Sequence, residues 1–144
     1  MKVLLKSAYL ITGLLLLGAA HSAMAGVAVV VNPKNSVSSM SKDQVAKIFL
    51  GKTNYFPSGA KATPIDLGSG DKSREKFYTD AMGKTQAHVN AYWAKKIFTG
   101  QGQPPRSVYE DSEVINTVNA DPTAIGYIND SSVNAKVKVV LTLP

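Results

Sequence analysis

A mixed, mostly parallel α/β sheet flanked by helices is the fold class that this 144-residue sequence predicts. Three observations carry the prediction. Short β-branched runs alternate with stretches of helical periodicity, as in folds whose strands are joined by helices. Glycines and polar turns mark the boundaries between them. The run Gly26-Val27-Ala28-Val29-Val30-Val31 is continuously apolar rather than alternating, which suits a central strand covered on both faces.

Residues 1–25 stand apart from that pattern. Lys2 and Lys6 precede an apolar run from Ala8 to Ala20, and the small-residue triplet Ala23-Met24-Ala25 follows, the order of a secretory signal. The run is shorter than the roughly 20 residues that cross a bilayer, and no later segment is long and apolar enough to do so. We therefore expect a signal peptide at 1–25 and one periplasmic or secreted domain at 26–144, with no membrane insertion after cleavage. No cysteine follows the apolar run, so no lipid anchor is expected, and 119 residues can bury a core without disulfides.

Along the domain, the turn Asn32-Pro33-Lys34-Asn35 follows the first strand. Ser41 and Gln44 have capping-box spacing, Val45, Ile48 and Phe49 share a helical face, and Gly51 stops that helix. A loop through Asn54–Gly59 leads to a second strand, Thr63–Leu67, broken by Gly68-Ser69-Gly70. The next helix, about Lys72–Met82, turns Phe77, Tyr78 and Ala81 inward and ends at Gly83. Thr85 caps a longer helix on which Val89, Tyr92, Trp93 and Ile97 recur at helical spacing, with Gly100 closing it. Gln101–Arg106 is predicted to be a rigid loop, because consecutive prolines cannot continue a helix. A short helix over Ser112–Asn119 and strands at Ala124–Ile128 and Val137–Leu143 complete the chain.

Residues 26–144 hold 14 Lys and Arg against 10 Asp and Glu, a formal surplus of four. The basic residues are scattered, which argues against nucleic acid and suits either a small anion or an ordinary solvated surface. Enzymatic chemistry is poorly provided for. The domain has no cysteine and one histidine, His88, so it lacks a nucleophile relay or a nitrogen–sulfur metal set, and neither an enzyme nor a cofactor is expected. Asp66, Asp71 and Glu75 are close in sequence without spacing that places them across a substrate. Leu50-Gly51-Lys52-Thr53 is not a phosphate-binding P-loop, since Ala46 stands where that motif needs glycine and the segment closes a helix instead of opening one. Tyr127 and Trp93 are expected in the core, and Arg106, isolated after two prolines, is the one lone cation to watch.

The candidate ligand site is the strand–glycine–helix junction. Free amides at the start of the helix after Gly70, the positive end of its dipole, the hydroxyls of Ser69 and Ser73, and the cations Lys72 and Arg74 together suit an oxyanion. Asp71 argues the other way, because a carboxylate there caps the helix itself and repels an anion that brings no proton to share. An ordinary glycine turn and helix cap accounts for the same residues.

Four segments in order resemble the substrate-binding proteins of phosphate ABC transporters, a type 2 periplasmic binding protein family. They are Val27–Pro33, Asp43–Lys52, Gly68-Ser69-Gly70 at a helix start, and Pro122–Ile128. The resemblance is to one lobe of that two-lobed family, and small single-lobe relatives share the Tyr92–Pro105 stretch. It implies phosphate binding in a cleft, with Ser69 and Gly70 at family ligand positions. At the family's arginine, aspartate and threonine positions this chain has Ile65, Leu67 and Asp71, so Lys72 or Arg74 would have to supply the cation. The lobe that closes over the ligand in that family is not expected here, and a homodimer would rebuild it. Two expectations follow: a periplasmic phosphate-type oxyanion-binding protein with weak or degenerate binding, working with an ABC permease, or a cell-envelope interaction module that keeps the fold, has lost the ligand and contacts a protein partner.

Overall fold

The computed structural model describes residues 26–144, so the expected signal peptide lies outside the described residues. Five strands form one sheet: β1 (Val27–Val31), β2 (Thr63–Leu67), β3 (Arg106–Val108), β4 (Ala124–Asn129) and β5 (Lys138–Leu143), in the order β3-β2-β4-β1-β5. β2 is parallel to β3 and β4, whereas β1 is antiparallel to β4 and β5, so four strands point one way and β1 alone opposes them. The fold is the mixed α/β sheet that the sequence predicts. β1 is buried along its whole length because it lies between two strands, with helices over both faces.

Four helices connect the strands. α1 (Lys42–Phe49) opens with the expected capping box, the Ser41 hydroxyl accepting from Gln44 N–H at 3.1 Å and the Gln44 side chain accepting from Ser41 N–H at 2.9 Å. α2 (Lys72–Met82) begins at the cap Asp71 and stops at Gly83, whose φ of 62° is left-handed. α3 (Gln86–Phe98) starts on Thr85, which accepts from His88 N–H at 3.2 Å. α4 (Asp111–Ala120) is held at its start by Glu113, whose carboxylate takes the N–H groups of Tyr109 and Glu110. Among the described residues no helix is long and apolar enough to cross a membrane.

α1 and α2 cover one face of the sheet and α4 the other. On the first face, Phe49, Phe77, Tyr78 and Tyr127 form the aromatic centre of the core. Phe77 stacks on Tyr127 with ring centroids 3.9 Å apart, and Phe49 meets Phe77 edge-on at 4.8 Å. On the second face, Gly126 lets α4 sit directly on the sheet, since a Cβ there would lie 2.5 Å from a methyl carbon of Val114. Asn32, buried after β1, ties the far end of α4 down by donating to the carbonyls of Val118 and Asn119, both at 3.0 Å.

Two elements depart from the sequence expectation. The stretch predicted as loop ends in β3, a three-residue edge strand paired with Ile65–Leu67. Pro104 and Pro105 have no N–H to donate, so the strand starts only after them. Ile97, expected on the buried face of α3, is 48% exposed, and Phe98 is 92% exposed. α3 packs chiefly on α2 rather than on the sheet, and its buried stripe ends at Trp93.

Because the contact at Gly126 is backbone against side chain in a close-packed layer, Gly126→Ala is expected to lower stability by about 1–3 kcal/mol, the usual range for overpacking. A urea melt with an unchanged slope and a lower midpoint would show it; an unchanged midpoint would mean that α4 moves aside freely.

Candidate functional site

β2 ends at Leu67, and the chain reverses through Gly68-Ser69-Gly70 into α2 at the carboxyl edge of the parallel strands, where open α/β sheets receive ligands. Gly68 is needed there because the Tyr109 ring lies over it, and a Cβ would come within 2.9 Å of two ring carbons. Gly70 has a φ of 90°, which other residues adopt only under strain.

Asp71 caps α2. One of its carboxylate oxygens accepts from Ser73 N–H at 2.8 Å and from Arg74 N–H at 3.2 Å, so two of the free amides at the helix start are already engaged. Gly70 N–H donates to the side-chain oxygen of Gln86, the first residue of α3, at 3.2 Å. The same oxygen accepts from Nη1 of Arg74 at 2.6 Å. A neutral carboxamide oxygen therefore occupies the point where a backbone amide and a guanidinium converge.

Arg74 is only 5% exposed. Besides Gln86 it donates through Nη2 to Asn90 at 3.2 Å and through Nε to Asp66 at 3.4 Å, and its guanidinium lies 5.0 Å from the Tyr78 ring centre. Of the other residues singled out from the sequence, Ser69, Gly70 and Lys72 are exposed, and Asp71 and Ser73 are half-buried. The Ser69 and Ser73 hydroxyls make no hydrogen bond to another described residue, while Lys72 leads onto a groove along the outer side of α2 beside Glu75 and Lys76. The turn thus gathers two hydroxyls with a backbone amide and a buried cation whose outward donors are held by amide side chains.

Beneath the turn lies a group that sequence reasoning did not single out as a unit. Asp66, 4% exposed, accepts from Leu67 N–H at 2.9 Å and from the Tyr127 hydroxyl on one oxygen. Its other oxygen takes the Tyr78 hydroxyl at 2.7 Å as well as Arg74 Nε. Burial, and then the negative charge of Asp66, push both tyrosine hydroxyls well above their ordinary value of 10.0. Gln86 and Asn90 also escaped notice, although two amide side chains four residues apart on a helix otherwise rich in apolar residues are the signal that could have found them. His88 is exposed, and among the described residues no three acidic or histidine side chains gather as a metal set.

No family model matches the chain, and no curated protein matches it in sequence. Solved structures do. An ABC-type phosphate transport receptor from Vibrio cholerae aligns with a TM-score of 0.64 at 21% identity, over 81% of this chain and 45% of that one. A protein from Clostridium perfringens, proposed to be the substrate-binding protein of a phosphate ABC transporter and solved with phosphate bound, gives 0.65 at 19%, over 81% and 44%. PstS from Borrelia burgdorferi gives 0.59 at 19%, over 81% and 47%. The likeness is one of fold, and this chain spans less than half the length of the proteins it matches.

The raised tyrosine values fix the sign of an alkaline effect. Above about pH 10 the unfolded chain releases phenol protons that the folded chain keeps, so stability present below that pH is lost as pH rises. Each of Tyr78 and Tyr127 is expected to contribute a loss of about 1.4 kcal/mol per pH unit over that range. Urea melts of the parent protein and Tyr78→Phe between neutral pH and the alkaline limit would test it. The variant should start less stable and lose stability with a shallower slope, and parallel slopes would contradict the assignment.

Proposed function

We propose that this chain is an oxyanion-binding protein of the cell envelope that takes hydrogen phosphate weakly at the Gly68-Ser69-Gly70 turn. The observation that carries the reading is the convergence of Gly70 N–H and Arg74 Nη1 on one acceptor, in a fold shared with a protein solved with phosphate bound. A phosphate oxygen entering there replaces the Gln86 carboxamide oxygen and exchanges two hydrogen bonds to a neutral acceptor for two to a charged one. Charge-assisted bonds of this kind contribute about 1.5–3 kcal/mol against about 1 for neutral ones, so the net gain is small. Ser69 and Ser73 offer hydroxyls to further oxygens.

Asp71 then sets selectivity. With one carboxylate oxygen engaged by the helix amides, the other is left to accept a proton from the ligand. Hydrogen phosphate can donate one and sulfate cannot. An open half-cleft keeps the ligand in contact with water and salt, which screens these contacts and suits a Kd of about 1 mM or weaker. The reading extends to residues 1–25 as a cleaved signal, a periplasmic or secreted location, and partnership with an ABC permease or a second copy that closes the cleft.

Thermal melts of the purified protein with phosphate, sulfate and chloride at matched ionic strength test this. Phosphate is expected to raise the melting temperature saturably and more than sulfate. Ser69→Ala should diminish the rise, and Gln86→Ala, by freeing both donors, should enlarge it. Equal responses to all three salts would exclude the phosphate reading and leave the fold as a surface for a protein partner.

A further inference from the structure

We propose a second ligand site, away from the Gly68–Gly70 turn, in which a small organic carboxylate with an apolar body sits against Trp93 and pairs with Arg106. It stands independently of the phosphate reading. The site is a cleft of about 220 Å³ reached by the start of β2, the start of β3 and the chain after α1. Ile48, Trp93, Pro104 and Pro105 give it apolar walls, and Asn54, Gln103 and Arg106 give it polar groups.

The aromatic wall is built with care. Gly51, in the left-handed region at φ 68°, carries no Cβ where one would stand 2.9 Å from Cη2 of the Trp93 ring, and Gly102 brings the loop within 3.9 Å of the ring's Cζ3 on the same measure. Tyr92 meets the Trp93 ring edge-on at 5.2 Å while its hydroxyl donates to the carbonyl of Leu50 at 2.7 Å. The ring is thus fixed against two glycines and a tethered tyrosine, and it is 7% exposed. Its indole Nε1–H is nevertheless the one buried side-chain donor or acceptor among the described residues with no partner. That N–H is sealed from solvent, so what the cleft offers a ligand is its apolar lining and its polar groups, Arg106 foremost.

Charge specifies the ligand. The segments that line the cleft, 48–64 and 93–106, contain five Lys and Arg and no Asp or Glu, while the rest of residues 26–144 has nine Lys and Arg against ten Asp and Glu. The surplus of positive charge is therefore concentrated in these two segments. Arg106 lines the cleft, is exposed, and makes no salt bridge or side-chain hydrogen bond with any described residue. A carboxylate brings two acceptor oxygens to a cleft that presents an unpaired guanidinium, and Arg binds carboxylates in a planar fork. The two prolines and the part of the Trp93 ring that lines the cleft then receive a flat apolar body, and the cleft volume restricts it to about the size of one aromatic ring.

Trp93 is the protein's single tryptophan, so its indole N–H gives one side-chain resonance in a proton–nitrogen NMR spectrum. Titration with benzoate, its neutral twin benzamide, and acetate, which lacks the ring, tests the proposal directly. Benzoate is expected to shift the Trp93 indole resonance saturably, with at least about tenfold tighter binding than either control, and Arg106→Gln should weaken benzoate about tenfold, the effect of losing one charge-assisted contact. Gly70 N–H should not respond to benzoate, and Trp93 should not respond to phosphate, so failure of one site is distinguishable from failure of the other. An unmoved indole resonance, equal binding of benzoate and benzamide, or an unchanged benzoate affinity in Arg106→Gln would each overturn it.

Discussion

The buried carboxylate of Asp66 is the constraint around which the rest of the domain is arranged. Removing a charge of that kind from water costs several kcal/mol, and the cost is offset only when its oxygens are fully bonded and a cation is close. The four donors come from three elements: the next backbone amide on β2, Tyr78 and Arg74 on α2, and Tyr127 on β4. Their geometry locks α2 against the two parallel strands. Tyr127 in turn stacks on Phe77, so the polar group and the aromatic core set each other's positions. Arg74 links this network outward to α3 through Gln86 and Asn90, and so the turn at Gly68–Gly70 inherits its shape from a charge buried beneath it.

The contrast between the two ends of the parallel strands follows from where charge resides along the chain. Around the carboxyl edge stand Asp71, Asp111 and Glu113, each accepting backbone N–H groups: Asp71 at the start of α2, Glu113 at the start of α4, and Asp111 from Asn129 and also from the Ser132 hydroxyl. These acids stabilise helix starts and loops, and they temper any attraction for an anion at that edge. Arg106, without a partner among the described residues, lies elsewhere, in the cleft between the two acid-free segments. One small domain thus separates a turn with a partly self-satisfied cradle from a cleft that carries a guanidinium with no internal partner.

Much of the architecture was legible because its signals are local. Gly68 and Gly83 bracket the strand and helix that the sequence predicts at Thr63–Leu67 and Lys72–Met82, and Ser41 with Gln44 marks the start of α1 within a residue. β3 was not legible, since three residues with one buried apolar side chain show no periodicity and the strand exists only because β2 offers an open edge. The site divided in the same way. The glycines, serines and cap at 68–73 are adjacent in sequence and were foreseen as a group. The role of Asp66 depends on Tyr127, 61 positions away, and the occupant of the cradle, Gln86, belongs to a different helix. Arg74, weighed as a cation for an incoming ligand, has its charge shared with an internal carboxylate that no local pattern reveals.

The position of β1 bears on how such a chain comes to be folded. The first strand of the domain lies between the last two, with Val27 opposite both Asn129 and Leu143. An emerging polypeptide therefore carries its most apolar strand without hydrogen-bonding neighbours until almost the whole length has been made, and no amino-terminal fragment can complete the sheet. Contacts so distant along the chain close slowly. The interval in which that strand stands unpartnered is the interval in which the molecule is most exposed to aggregation, and equally the one in which it is still an extended thread.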